Sequence, residues 1–291
     1  MENKKYWIWF SLIKNLGSKR KQKLLEVYKS PENIYKLNQK ELMLIPGIGN
    51  KIAKDILDRQ TRINIDKHIK YLQKNNIDIL PITAQGYPQL LKEIYDPPIC
   101  LYVKGNKEIL NNKSIAIVGC RDATDYGKKA AKYFAYNLSN KKINIISGLA
   151  KGVDSYAHVG NLCARNEDIR SGKTVAVVGN GLDRIYPKEN EYLANKIIEN
   201  GGAIISEYPL GTKPDKMNFP ARNRIISGMS EGIIVVEAKE KSGTLITVDF
   251  ALEQGRDVYV VPGNINSINS VGTNNLIKQG AKVVTSFLDI N

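Results

Sequence analysis

The stretch from Phe219 to Thr247 concentrates the residue types that handle phosphate. Phe219, Arg222 and Arg224 stand at the start of one helical pattern, and Ser242-Gly243-Thr244 opens another. Between them lies an apolar run over residues 233–236. The first backbone N–H groups of a helix lack internal partners and sit at the positive end of its dipole, so both turns suit an anion. Phe219 adds a flat face on which a nucleobase can stack. The implied chemistry is the binding of phosphate and base.

Such residues need a frame, and the pattern from Ser114 onward supplies one. Short apolar runs at 115–118, 143–146, 175–178, 203–205, 233–236, 258–261 and 282–284 alternate with helical periodicity. That alternation predicts an α/β fold with a parallel sheet covered by helices on both faces. Small and polar residues follow the runs: Gly119-Cys120-Arg121, Ser147-Gly148-Leu149, Gly179-Asn180-Gly181, Ser206-Glu207, Glu237-Ala238 and Pro262-Gly263. All of these fall on the carboxyl edge of a parallel sheet, where ligands bind in such folds.

Several familiar ligands fail on spacing. Gly119 to Thr124 and Gly179-Asn180-Gly181 both lack the glycines of a dinucleotide fingerprint. Gly172-Lys173-Thr174 has Glu167 where a triphosphate loop needs glycine, and it precedes a strand instead of following one. Asp154 and His158 lie four apart on one helix face, which reads as a cap and a packed histidine. With His68 the only other histidine, metal and histidine chemistry have little to draw on. No metal or cofactor is expected.

Before the sheet, helical spacing from Tyr6 to about Tyr71 predicts a small all-helical domain over residues 1–75. Within it, Gly47-Ile48-Gly49 resembles the turn of helix-hairpin-helix modules. A phosphate contact and a purely structural turn are both open there. Prolines and glycines make residues 76–113 a linker, with one edge strand at 100–103. The third segment is 114–291. The net charge is +14, and residues 1–80 alone hold 17 Lys/Arg against 8 Asp/Glu, a balance that favours a polyanionic partner. Cys100, Cys120 and Cys163 have no metal spacing and suit a reducing cytoplasm. No stretch is apolar for the roughly 20 residues a membrane span needs.

Six blocks then carry a family resemblance: residues 114–121, 147–158, 178–187, 219–228, 237–247 and 261–263 closely resemble the DprA/Smf family of DNA-processing proteins. The resemblance implies an extended Rossmann-like fold behind a SAM- or helix-hairpin-helix-like domain. It also implies a non-enzymatic protein that binds single-stranded DNA, forms homodimers and loads the RecA recombinase during natural transformation. By motif, Gly119 and Arg121 stand in the family's phosphate-holding Gly-Ser-Arg turn, and Lys216 and Phe219 match its pocket cation and aromatic. Ser147, Gly148 and Lys151 match a second loop, Asn180 and Gly181 a third, and Ser242, Gly243 and Thr244 a fourth. Arg222 and Arg224 are read either as phosphate contacts or as internal partners of Glu207 or Glu237, with one of the two structural.

Three departures qualify the resemblance. Cys120 replaces the serine of the Gly-Ser-Arg turn. Residues 163–172 are longer than the family pattern and read as a surface loop. The sequence stops at Asn291, where many relatives continue into a winged helix, so that domain's roles are not carried over. The competing class is a nucleoside-monophosphate phosphoribohydrolase with a related Rossmann-like fold, whose loop resembles residues 240–247. There Thr247 stands where the catalytic glutamate would be, which favours binding over hydrolysis.

Overall fold

A computed structural model describes residues 2–13, 15–58 and 65–290. Among these, six helices come first: α1 (Glu2–Leu12), α2 (Ser18–Tyr28), α3 (Pro31–Lys36), α4 (Gln39–Met43), α5 (Asn50–Leu57) and α6 (Ile65–Lys74). Local chemistry sets their ends. Ser30 caps α3 with Pro31 at its first position, and Asn38 and Glu41 form a reciprocal capping box on α4. In the hairpin before α5, Gly47 takes φ +86°, Ile48 is buried and Gly49 is the N-cap.

The next elements are β1 (Ile77–Pro81), α7 (Gln89–Lys92) and β2 (Cys100–Gly105). The alternating part follows with β3 (Ser114–Val118), α8 (Asp125–Asn140), β4 (Asn144–Ser147), α9 (Val153–Glu167), β5 (Thr174–Val177), α10 (Glu191–Glu199) and β6 (Ala203–Ser206). It ends with α11 (Asn218–Gly228), β7 (Gly232–Val235), α12 (Gly243–Glu253), β8 (Asp257–Val260), α13 (Val271–Lys278) and β9 (Lys282–Val283). All seven apolar runs read from the sequence are strands, within one or two residues at each end.

The nine strands form one sheet in the order β1-β2-β6-β5-β4-β3-β7-β8-β9. The strands from β3 to β9 pair in parallel, whereas β1–β2 and β2–β6 are antiparallel. The chain moves outward from β3 through β4, β5 and β6, then crosses back to place β7 on the other side of β3. The order therefore reverses between β3 and β7, and a crevice opens beyond their carboxyl ends.

Two expectations are corrected here. Residues 76–113 are more than a linker with one strand, because β1 joins the sheet as its outermost member. Its five residues end in Pro81, which an edge strand tolerates because its outer side needs no donor. Residues 163–172 are also not wholly loop. Helix α9 continues to Glu167, since Ala164 keeps its apolar face in the core and the buried Arg165 donates to the Ser171 carbonyl.

The helical region is joined to the sheet by a common core. Trp9, Phe10, Leu24 and Ile56 belong to one buried cluster with Tyr102, Ala176, Ile197 and Ile204. Ser11 Oγ lies 2.6 Å from the buried Tyr102 hydroxyl, which satisfies two polar groups inside that core. Among the described residues, no helix is long and apolar enough to cross a membrane.

Candidate nucleic-acid interface

The crevice at the β3/β7 reversal is an open groove of about 550 Å3. One wall is the turn after β3, Gly119-Cys120-Arg121-Asp122, and another is the loop after β7 leading into Ser242-Gly243-Thr244. The start of α11 supplies Phe219, Arg222 and Asn223, and Lys216 precedes it. The turn after β3 is fixed by backbone bonds from Cys120 N–H to the Glu237 carbonyl at 2.9 Å and from Val153 N–H to the Cys120 carbonyl at 3.2 Å. Only glycine fits at 119, since a Cβ there would lie 2.6 Å from Val153 Cγ2. Behind this turn the buried Glu237 carboxylate accepts from Thr124 N–H at 2.9 Å and from the Thr124 hydroxyl, bracing the start of α8.

The groove's charge is predominantly positive. Arg121, Lys216 and Lys241 are exposed and have no ion-pair partner among the described residues, whereas Lys239 pairs with Asp122 at 3.4 Å. Phe219 is half-buried. Its ring stacks on Tyr186 with centroids 5.5 Å apart, and the Arg121 guanidinium lies 5.7 Å from its centroid. The ring also fills the space beside Gly179, where a Cβ would come within 3.0 Å of it. Ser242 caps α12 by accepting from Thr244 N–H at 3.2 Å, and Gly243 faces open space.

Of the residues singled out in the sequence, Gly119, Arg121, Lys216, Phe219, Arg222, Ser242, Gly243 and Thr244 line this groove. Gly148 and Lys151 border a small adjoining recess with Arg121 and Phe219, and the exposed Lys151 is held by Glu189 at 2.7 Å.

The remaining residues named from the sequence lie inside the fold, and Gly148 is held close to it. Ser147 is fully buried and donates to the Ile117 carbonyl at 2.6 Å. Asn180 is buried and donates to the carbonyls of Gly181 and Arg184, both at 2.9 Å, so it ties its own loop together. Gly181 is pressed against Pro209 and Asp183, leaving no open face. Gly148 leaves room for the Arg222 guanidinium, 2.6 Å from where its Cβ would be.

Both arginines of α11 are internal. Arg224 points away from the groove and forms two bonds of 2.6 Å to the Glu207 carboxylate, plus one of 2.9 Å to the Asp96 carbonyl. Burial works against its charge, but Glu207 and Asp96 outweigh it and hold its pKa above the usual value. Arg222 borders the groove yet is buried, donating to the carbonyls of Gly148 and Val177. Burial pushes it down to about 10, against the pull of Asp154. In turn, burial raises the Asp154 pKa against the opposing pull of Arg222. Both arginines thus have internal partners, and of the two only Arg222 also borders the groove.

Sequence reading missed Tyr186, Asn223, Lys239 and Lys241. Lys239 and Lys241 lay in plain view in the loop after a predicted strand. Tyr186 could not be placed against Phe219, since 33 residues separate them.

His158 is a packed core residue, with Nδ1 2.7 Å from the Thr174 hydroxyl. Burial first, and then the Arg222 charge, push its pKa down to about 3. It stays neutral in the folded protein, whereas the unfolded chain takes a proton near pH 6.5. Its contribution is therefore complete above about pH 6.5 and is lost as pH falls toward 3. Between about pH 7.5 and 5.5 this group should cost about 1 kcal/mol of stability. His158→Gln should flatten the pH dependence of denaturant unfolding in that window, and an unchanged dependence would refute the assignment.

Comparison with known proteins shows what kind of chain carries this groove. Residues 78–291 match the family described as DNA recombination-mediator protein A, and residues 11–59 match the SAM-like helix-hairpin-helix tandem. A DNA processing protein DprA of Streptococcus pneumoniae is 41% identical over 275 residues, covering 92% of each chain. The chain belongs to the DprA/Smf family. A DprA of Bacillus subtilis is 44% identical over 219 residues, covering 75% of this chain and 71% of the relative. The solved S. pneumoniae DprA structure superimposes with a TM-score of 0.83 at 37% identity, covering 98% of this chain and 96% of that one. A DprA structure from Helicobacter pylori, described for its single-stranded DNA binding mode, has a TM-score of 0.64 at 30% identity, covering 73% of this chain and 93% of its own. The DprA/Smf fold and its helix-hairpin-helix region are thus those expected from the sequence.

Proposed function

We propose that this protein is a non-enzymatic, cytoplasmic recombination mediator that grips single-stranded DNA in the groove at the β3/β7 reversal. The observation that carries this reading is one groove combining three cations without ion-pair partners among the described residues, Arg121, Lys216 and Lys241, with the stacked Tyr186–Phe219 pair. The cations hold backbone phosphates. The aromatic pair receives a base without selecting it, and the start of α12 at Ser242–Thr244 adds backbone dipoles. Membership of a recombination-mediator family and the single-stranded DNA binding described for the H. pylori relative support the reading. By the same resemblance, the protein acts as a homodimer that protects incoming DNA and loads RecA.

The groove also favours binding over hydrolysis of a glycosidic bond. Thr247 supplies no carboxylate. The two acids on its lining are committed, Asp122 to Lys239 and the buried Asp154 to the Ala150 N–H, beside Arg222. Incubation with AMP should release no base, and release of adenine would reverse the ranking.

Phe219→Ala tests the stacking role. Loss of one base–aromatic contact should weaken binding of a short oligothymidylate by about 1–3 kcal/mol while leaving the salt dependence nearly unchanged. Wild-type affinity in this variant would remove Phe219 from the interface.

A further inference from the structure

A second cavity, of about 500 Å3, lies between the beginning of α2 and the segment that follows β6. It opens on the same edge of the sheet as the groove, because Glu207, Tyr208 and Pro209 continue directly from the carboxyl end of β6. Helix α11 stands between the two spaces. Its Phe219 and Asn223 border the groove, while Ala221 and Arg224 border the cavity.

The α2 end of this cavity carries a surplus of positive charge. Lys19, Arg20 and Lys21 occupy the first turn of α2, which contains no acidic residue, and no side chain caps it at Gly17. Cations at the positive end of a helix dipole are unfavourable until an anion arrives. Lys21 is more than nine-tenths buried and donates to the Ser11 carbonyl at 3.1 Å, with burial pushing its pKa down to about 8. An ammonium has three donors, so this one has capacity for a further acceptor. The acids across the cavity answer it only in part: the Glu207 charge acts on Lys21, but Arg224 engages Glu207 directly at 2.6 Å and Asp96 at 3.4 Å.

At the mouth, Tyr95 is 83% exposed with the Lys19 ammonium 3.7 Å from its ring centroid. A solvent-facing ring beside a cation is the combination on which single strands stack and neutralise their phosphates.

We propose that this cavity receives the continuation of the same DNA strand: Tyr95 stacks a base at its mouth, and Lys19 and Lys21 neutralise the neighbouring phosphates. The strand then runs from the groove across α11 onto the helical region, which becomes part of the binding surface. This inference rests on the reading of the groove as a single-strand site.

The test compares labelled oligothymidylates of about 6 and about 25 nucleotides over a range of salt, with wild type, Lys19→Ala/Tyr95→Ala and Arg121→Ala. Both cavity residues are exposed, so the double variant should melt like wild type. It should lose about 10-fold in affinity for the long strand, with a salt slope shallower by about 0.7, and keep wild-type affinity for the short one. Photocross-linking from 5-iodouracil in the long strand should recover the peptide containing Tyr95. An unchanged long-strand affinity, or an equal loss on both lengths, overturns the inference while Arg121→Ala still loses both strands. Full binding by Arg121→Ala instead overturns the groove reading itself. Inorganic phosphate or free TMP bound at the cavity with no long-strand effect would make it a small-anion site and also overturn the proposal.

Discussion

Arg224→Met is expected to lower the stability of the folded chain by about 3–5 kcal/mol, read as a fall in melting temperature of roughly 6–10 °C. The side chain is buried and holds Glu207 through two bonds of 2.6 Å, so its removal strands a carboxylate where water reaches poorly. It also releases the Asp96 carbonyl, which ties the segment before β2 to α11. The double variant Arg224→Met/Glu207→Gln should recover part of the loss, because the cost lies in the unpaired charge more than in the missing attraction. Below its transition, Arg224→Met should bind a strand of about 6 nucleotides like wild type. A melting temperature equal to wild type would show that the pair is not structural. Loss of short-strand binding with stability intact would return Arg224 to the DNA interface.

The second large effect belongs to the opposite face of α11. Arg121→Ala/Lys216→Ala should weaken single-strand binding by about 3 kcal/mol, roughly 100-fold, at moderate salt. Both side chains are exposed, without ion-pair partners among the described residues, so stability should move by less than about 0.5 kcal/mol. The diagnostic is the salt dependence. If about 5 phosphates are neutralised, the slope of log K against log salt is about −3.5, and removing two contacts should bring it to about −2.1. Phe219→Ala should leave that slope nearly intact, which separates stacking from charge. Wild-type retention of oligonucleotide by the double variant would end the reading of this groove as the strand's seat.

The two arginines of α11 show where sequence reading reached its limit. Arg222 and Arg224 are two positions apart just past the first turn of α11, close to a helix start whose free N–H groups, like a cation, welcome phosphate. Nothing local separates a phosphate ligand from an internal counter-ion. The distinction arises because β6 delivers Glu207 beneath one side of α11, and β4 and β5 deliver the carbonyls of Gly148 and Val177 beneath the other. Ser147 and Asn180 follow the same logic. Small polar residues at a strand end suit a ligand equally well as they suit the bonds that close the loop, and burial selects the second. Strand β1 was hidden for a different reason. Its pairing partners lie 19 to 27 residues away, and Pro81 reads locally as a breaker.

The amino-acid order alone determined the alternation of strand and helix, the edge on which the loops gather, the basic character and the family, since each rests on periodicity, composition or contiguous motifs. Tertiary structure alone decided which loop residues face open space and which turn inward. It also joined Tyr186 to Phe219, and set the α2 lysines beside the end of β6. The physical reason is that local propensity fixes what a residue is able to bind, whereas burial and the partners brought from distant strands fix what remains free to be bound.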